Sequence, residues 1–591
     1  MARSSYFLQL GLKRLLFGAC FVASQHFAPA AQPSPSIQWM AWGDAAWQEA
    51  KLQHKPLFVH VTIAGSERAA DMQRIAFAQA SVVESLAQKF VCVQVDGDQY
   101  PGVLAAMSTF VSDTQQERGI PLNVWLSDTG APLLGRTYLE PNDEWGKLGL
   151  INLIERVSSR QATDAPGLRA EAASLLENHF GRFPSGTADQ AAATRDAISF
   201  LATSLNQVGA EASVVTRVTP RAWHLVVQQA ASGQVESGQV RDLLLRLSTG
   251  PLRDAVSGAF FSRAATPEGD WPVLELDTAL QIGLAETYLA AARRWPTDGF
   301  ATVADELLDG LAVSVASPGG LSTRYTAPLT SPSDAPFLWS MTEIKGAMPA
   351  DAPAIDDWQG LIDRGKVPES MDPHHVWAGR FLLNSSAMET VSVWPAVRAS
   401  LRGIQLERLN KLNLRPAPLG TQALAAVVLA EGARQLKKPE YLTTARRLVK
   451  SWAQPPSGNI AGQWWRLAPD VPVTAQDLVA VMLALVEVEP TAGGAEAGAT
   501  ALARLHLEMQ SRFVVDGVYG FPAGTALPYH DVPDLREDGI RATSTALAVR
   551  LHHASSGRFG LNPDDVWRRV GRAVVAMPDD YPELLRQLAR R

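Results

Sequence analysis

Near residue 163 the hydrophobic pattern of this chain changes period, and that change constrains the fold more than any single motif. Between residues 37 and 162, short apolar runs of strand character alternate with helical stretches. Pro56 to Ile63 carries Leu57, Phe58, Val59, Val61 and Ile63, apolar enough for a strand buried on both faces. Phe90 to Val95 predicts a second buried strand, and Leu122 to Leu126, directly after Pro121, a third. Asp128-Thr129-Gly130 predicts a turn into a fourth strand, Leu133 to Tyr138. Asp44, Ser66, Ser81 and Asp143 are placed to cap helices, the last of them a long one.

From residue 163 to residue 591 the pattern is helical throughout. Helix starts are expected at Pro220, Asp277, Thr421, Thr474 and either Thr543 or Ser544. Many of these helices are rich in Ala and Leu and nearly apolar around their whole circumference. Inner helices of a toroid, with a second ring of helices outside them, have that character. A chain of 591 residues also exceeds what one hydrophobic core organises. The expected architecture is a thioredoxin-like α/β sandwich over residues 37–162, followed by an all-α (α/α)6 toroid over residues 163–591.

The first 30 residues have the pattern of a signal peptide. Arg3, Lys13 and Arg14 form the positive flank, Leu15 to Ala23 the apolar run, and Ala28-Pro29-Ala30 the small-residue cleavage site. Residues 31–36 then serve as a Pro- and Ser-containing linker. The chain is expected to be exported to the periplasm or the medium, with an uncleaved membrane anchor as the alternative. No interior run of eighteen or more apolar residues appears, so any contact with the membrane is expected through this N-terminus alone. A net charge of −7 without a basic stripe argues against nucleic-acid binding. Of the two cysteines, cleavage would leave only Cys92, which cannot form an internal disulfide.

Trp42-Gly43 with Ala46 and Ala50, Lys55-Pro56 with Phe58, Met72, Phe90-Val91-Cys92-Val93, Val95-Asp96 and Pro121-Leu122-Asn123-Val124 occur in a distinctive order. In the second half Asp254 with Gly258 and Phe260, Trp271 with Glu275, Gly319-Gly320, Trp339 with Glu343-Ile344, and Arg415-Pro416 continue it. In these segments the chain resembles the thioredoxin-like proteins of the spermatogenesis-associated type, in which a thioredoxin-like domain is fused to a six-hairpin-glycosidase-like toroid. The family carries Cys-His-Trp-Cys-His at its first long helix. Counting from Lys55-Pro56 to Met72 places those positions at Ser66-Glu67-Arg68-Ala69-Ala70. A dithiol couple needs two thiols at i and i+3. Ser66 and Ala69 supply none, so the site is expected to be redox-inactive, with Ser66 acting as a helix N-cap. Pro121 matches the cis-proline that faces the redox pair, and its edge could still hold an extended peptide.

The toroid departs from the family in the same direction. Phe260-Phe261-Ser262-Arg263 stands where the resemblance places a His and Arg pair. Pro272-Val273-Leu274-Glu275-Leu276 replaces Pro-His-Phe-Glu-Lys, and Leu321-Ser322-Thr323-Arg324 lacks the expected carboxylate. Glycoside hydrolysis requires a carboxylate pair. Glu275 with Asp277 or Asp254 could supply it, or those acids could simply sit in helix N-terminal turns. The 16 tryptophans admit sugar stacking as well as core packing. Trp271, Glu275 and Arg263 are therefore the ligand-binding candidates. The adjacent pairs His374-His375 and His552-His553 diverge too widely to chelate, so no metal and no cofactor are expected. Two functions follow: a redox-inactive pseudoenzyme that binds a peptide or a glycan, or a carbohydrate-active enzyme of epimerase-like or hydrolase-like type.

Overall fold

The computed structural model describes residues 36–180 apart from 145, then 190–211, 215, 217–231, 238–317 apart from 267, 320–326, 335–350, 363, 365–372, 375–384, 393–453 apart from 413, 474–488, 495–515, 518–519 and 541–590. The expected signal peptide, Gly319 and His374 lie outside them.

The first domain is built on a five-stranded sheet of order β1-β3-β2-β4-β5. Its strands are β1 (Trp39–Ala41), β2 (Leu57–Thr62), β3 (Val91–Asp96), β4 (Leu122–Leu126) and β5 (Pro132–Arg136). β1, β3 and β2 run parallel, β4 is antiparallel to β2, and β5 closes a hairpin onto β4. This is the thioredoxin-like sandwich expected from the sequence. Strand β1 went unread because three residues on a sheet edge show too little alternation to register. Helix α1 (Asp44–Gln53) is capped at Gly43 rather than Asp44, which occupies its first turn. Helix α2 (Glu67–Asp71) passes into a π-helical turn, Met72–Ala76. Helix α3 (Ala80–Lys89) follows, and α4 (Pro101–Gln115), a helix the pattern did not reveal, makes the crossover from β3 to β4. The long helix α5 (Leu150–Phe180) breaks at Asp164, two residues before Pro166.

Two hydrophobic clusters cover the two faces of the sheet. Val59, Val61, Val93 and Val95 pack under α1 and α4 with Trp47, Met107 and Phe110. Phe58, Cys92 and Trp125 pack on the other face with Met72, Leu86, Leu150 and Ile154. The alternation along β2 and β3 makes this division, since successive side chains leave opposite faces of a strand.

In the second domain, among the described residues, six helices form a closed inner ring. They are Pro220–Ala231, Thr278–Arg294, Leu419–Leu436, Ala475–Val488, Ser544–Ala554 and Pro582–Leu588, each touching the next and the last touching the first. Outer helices alternate with them along the chain: Gln190–Glu211, Gly238–Thr249, Phe300–Ala316, Pro439–Ala453, Ala495–Arg512 and Pro563–Ala576. The inner helix Thr278–Arg294 is buried at nearly every position, and Leu419–Leu436 and Ser544–Ala554 at most of theirs. A helix enclosed on all sides needs no polar face, which is the origin of the circumferential Ala and Leu pattern. Polar groups inside the ring pair with one another. Glu286 accepts from Arg221 at 2.5 Å and from Arg550 at 2.6 Å, and Arg586 donates to Glu583 at 2.9 Å.

The second domain is not purely helical, contrary to the sequence expectation. Short strands Glu275–Asp277 (β6) and Arg324–Thr326 (β7) pair antiparallel, as do Leu338–Ser340 and Arg380–Leu382. Segments of three residues carry no readable period, so the sequence pattern merged them with loops.

Candidate functional site

Register places three loops at one end of the first domain's sheet. Thr62 at the end of β2 pairs with Asp96 at the end of β3, and Val61 pairs with Leu122, the residue after Pro121. The loop leading to Ser66, the loop Gly97–Tyr100 and the cis Ile120–Pro121 bond therefore share this end. Ser66 is the N-cap of α2, its hydroxyl accepting from the Ala69 N–H at 3.3 Å, and Ala69 is buried. Cys92 lies in β3 on the packed face, and burial pushes its thiol up to about 12. A buried group of that acidity holds almost no thiolate at neutral pH, and the thiolate is the reactive form.

The toroid is docked against this same end. Asp98 receives the Ala64 N–H at 2.9 Å on one carboxylate oxygen and the Arg324 Nε at 3.2 Å on the other. Arg415 reaches Asp96 at 3.2 Å from the rim. Gly65 adopts φ +75°, and a Cβ built there would lie 2.6 Å from Thr326 Cγ2, so the domains meet closely where the glycine has no side chain.

Arg324 opens β7 opposite Asp277 in β6, and this pairing gathers the charges. Its guanidinium binds Glu275 and lies 3.3 Å from Asp277, which Arg541 also reaches at 2.7 Å. Asp277 in addition caps the helix Thr278–Arg294, accepting from the Leu280 N–H at 3.1 Å. Burial alone would raise the Asp277 carboxyl, but the guanidiniums of Arg541 and Arg324 outweigh it and hold it below the usual carboxylate range. At Glu275 burial prevails over Arg324, and the carboxyl lies above its ordinary value. Arg324 is held firmly cationic, because Asp277, Glu275 and Asp98 together outweigh its own burial.

Beside this cluster a small cavity of about 10 Å³, room for about one water molecule, lies at the starts of the inner helices. Its lining includes Thr421, Gln476 and Arg541 from the toroid with Asp277, and Gly97 and Asp98 from the first domain. Of the acids named from the sequence, Glu275 and Asp277 come together on Arg324. Asp254 does not join them. Its carboxylate binds the Ser257 N–H at 2.9 Å and Gln405 at 2.9 Å in a separate turn. Asp477 serves the helix start, accepting from Gly420 N–H at 2.6 Å and Thr474 N–H at 2.9 Å.

Trp271 departs from its expected role. It is 2% exposed and packs with Phe261, Phe337 and Trp377, so its ring is a core element and not an open stacking platform. Leu274 and Leu276, a few residues on, turn with it into that cluster. Arg263 is exposed near Glu275, whose carboxyl feels its charge. His552 and His553 hold their rings 6.2 Å apart at 80°, His553 bonding to the Gln587 carbonyl at 3.0 Å, so the pair does not converge on one point. The sequence reading missed Asp98 and Arg541 altogether. Asp98 had no flag beyond its place just past a strand end, where functional loops of α/β sheets lie.

Residues 24–179 match the family Thioredox_DsbH, described as a protein of unknown function, DUF255. Over 501 residues the chain is 24% identical to human spermatogenesis-associated protein 20, covering 72% of this chain and 62% of that protein. The match therefore spans less than two thirds of that relative's length. The mouse protein of the same name is 31% identical over 121 residues, 20% of this chain and 15% of the relative. An uncharacterized Caenorhabditis elegans protein is 27% identical over 141 residues, 24% of this chain and 19% of its own. In the sheet order of its first domain, the helical ring behind it and these matches, the chain is similar to the spermatogenesis-associated thioredoxin-like proteins.

Proposed function

We propose that this protein is an exported, redox-inactive binding protein whose ligand is a neutral carbohydrate held at the toroid mouth. The observation that carries the reading is the charge balance of the cavity. Asp277 and Asp98 are both engaged by arginines, and Thr323, Thr421 and Gln476 share the lining with Ala279 and Pro418. The cavity itself has room for about one water molecule, so the ligand would lie over it and place a single hydroxyl against this uncharged balance of groups. An extended peptide, the other ligand class the sequence admits, would need the sheet end that the toroid covers. Redox inactivity rests on Ser66 and Ala69 at the family's cysteine positions and on the burial of Cys92. Export rests on the N-terminal pattern, and N-terminal sequencing of the purified protein should find a start near Ala31; a membrane-bound chain retaining residues 1–30 would favour the anchor.

The test of ligand class is calorimetric titration of the full chain with neutral, acidic and basic oligosaccharides. Binding of a neutral oligosaccharide that is weakened about tenfold by Gln476→Ala or Thr421→Val supports the reading, on the scale of one lost hydrogen bond. Preference for an anionic glycan would refute it.

A second reading, a carbohydrate-active enzyme, draws on Glu275 and Asp277, two carboxyls whose environments push them in opposite directions. Glu275→Gln should then abolish turnover of a bound oligosaccharide while leaving its affinity nearly unchanged. Turnover that survives the substitution removes this reading.

A further inference from the structure

We infer that the former redox edge of the first domain has become an internal docking surface, latched to the toroid through Asp98 and Arg324, which roofs the toroid mouth and closes that edge to extended peptides. The roofing half rests on the mouth being the ligand site. The docking half does not.

Among the described residues, three points of the contact stand out. Thr326 fills the space that Gly65 leaves by lacking a side chain, Asp98 takes Arg324, and Asp96 takes Arg415. Acidic groups come from the thioredoxin-like side and basic groups from the toroid side, so the two surfaces are electrostatically complementary. The central pair is deeply buried: Asp98 is 3% exposed and Arg324 9%. Asp98 does a second task, because its other oxygen holds the Ala64 N–H in the loop that presents Gly65 and Ser66. One carboxylate therefore both shapes the degenerate redox loop and fastens it to its neighbour.

A thioredoxin-like domain that receives extended peptides does so along the loops beside its cis-proline, by backbone hydrogen bonds. Here Thr326 stands against the loop before Ser66, and Arg324 and Arg415 stand against the loop after β3. Gly97 and Asp98 at the same time line the mouth cavity, opposite Thr421 and Gln476. A ligand seated over that cavity would touch both domains.

The latch is asymmetric. If Asp98 is removed, Arg324 keeps Glu275 and Asp277, so the toroid retains its own charge balance. Opening also returns both charges to water, which offsets much of the lost attraction. The contact is therefore reversible in principle and separable from the folding of either domain.

The decisive variant is Asp98→Asn in the full chain, which keeps an acceptor for the Ala64 N–H and puts an amide NH2 in place of the oxygen that accepts from Arg324. Hydrogen–deuterium exchange should quicken about tenfold in the segments 62–66, 97–101 and 321–326. The inner helix Ala475–Val488 should keep its protection. Gly65→Ala is the second variant, and its side chain should loosen the same segments by meeting Thr326. A fluorescein-labelled, carboxymethylated insulin B chain should bind Asp98→Asn and not the wild type. Unchanged exchange in both variants, or binding of the B chain to wild type with competition at the Ser66 loop, overturns the docking inference. If exchange quickens but titration with maltohexaose and other neutral oligosaccharides shows no binding in either form, docking stands and the carbohydrate reading falls.

Discussion

Arg324 Nε meets the carboxylate of Asp98 at 3.2 Å across 226 residues of sequence, with both side chains nearly sealed from water. The same guanidinium holds Glu275 and Asp277, so one cation neutralises acids from two domains. Arg324→Met would leave Asp277 with Arg541, and Glu275 with only the more distant charge of Arg263. Removing one partner of a buried ionic group costs about 3–5 kcal/mol. Urea denaturation of the full chain should show a loss of that size, and a loss under about 1 kcal/mol would mean the cluster is solvated.

Thiol chemistry should be absent. The purified chain should reduce insulin no faster than buffer, and Cys92→Ser should leave that background untouched, because the thiol is buried and pushed up to about 12. A thiol-dependent rate abolished by Cys92→Ser would contradict the assignment.

His60 makes the first domain sensitive to mild acid. It sits on β2 facing Asn123 on β4, its Nδ1 2.8 Å from the Asn123 side-chain oxygen, amid Trp39 and Phe77. Burial pushes its pKa down to about 4, against the opposing effect of the Asn123 bond. Below pH 6.5 the unfolded chain takes up a proton that the folded chain refuses until about pH 4. Stability is thus fully present above pH 6.5 and falls as pH drops toward 4, by about 3 kcal/mol at the end of that window. His60→Gln should flatten thermal stability between those values, measured by scanning calorimetry. An unaltered slope would show that His60 is protonated in the folded state.

Trp271→Ala should act on stability before it acts on any ligand. The ring lies in a closed cluster with Phe261 and Phe337, and emptying such a site costs about 3–5 kcal/mol. Trp271→Phe should restore most of the stability and leave oligosaccharide affinity unchanged. A Phe variant that is stable but no longer binds would return the ring to the ligand site.

The first domain was legible where its strands are buried on both faces, since Leu57 to Ile63 and Phe90 to Val95 show continuous apolar runs that few other elements produce. Ser66, Ala69 and Pro121 were placed by counting between matched residues, and Ser66 was read as the N-cap it is. Glu275 and Asp277 were read as neighbours because they are two residues apart in sequence. Their shared arginine lies beyond two helices, and Asp98 is in another domain. Ion pairs between distant segments follow from tertiary docking and leave no period in a single sequence. Trp271 was misjudged for a related reason, since an indole beside an acid reads alike in a cleft and in a core until its other neighbours are known.

The inner ring closes between its first and last members. Gln228, on the first inner helix, meets Arg586, on the last, across 358 residues. A polypeptide delivered from one end reaches that partner only after the other five inner helices have been made. Until then the ring is an open arc, with apolar flanks of Pro220–Ala231 and Ser544–Ala554 uncovered. Final folding of this domain is thereby timed to the arrival of residues 582–588, and losing that short segment would expose the seam of the whole ring.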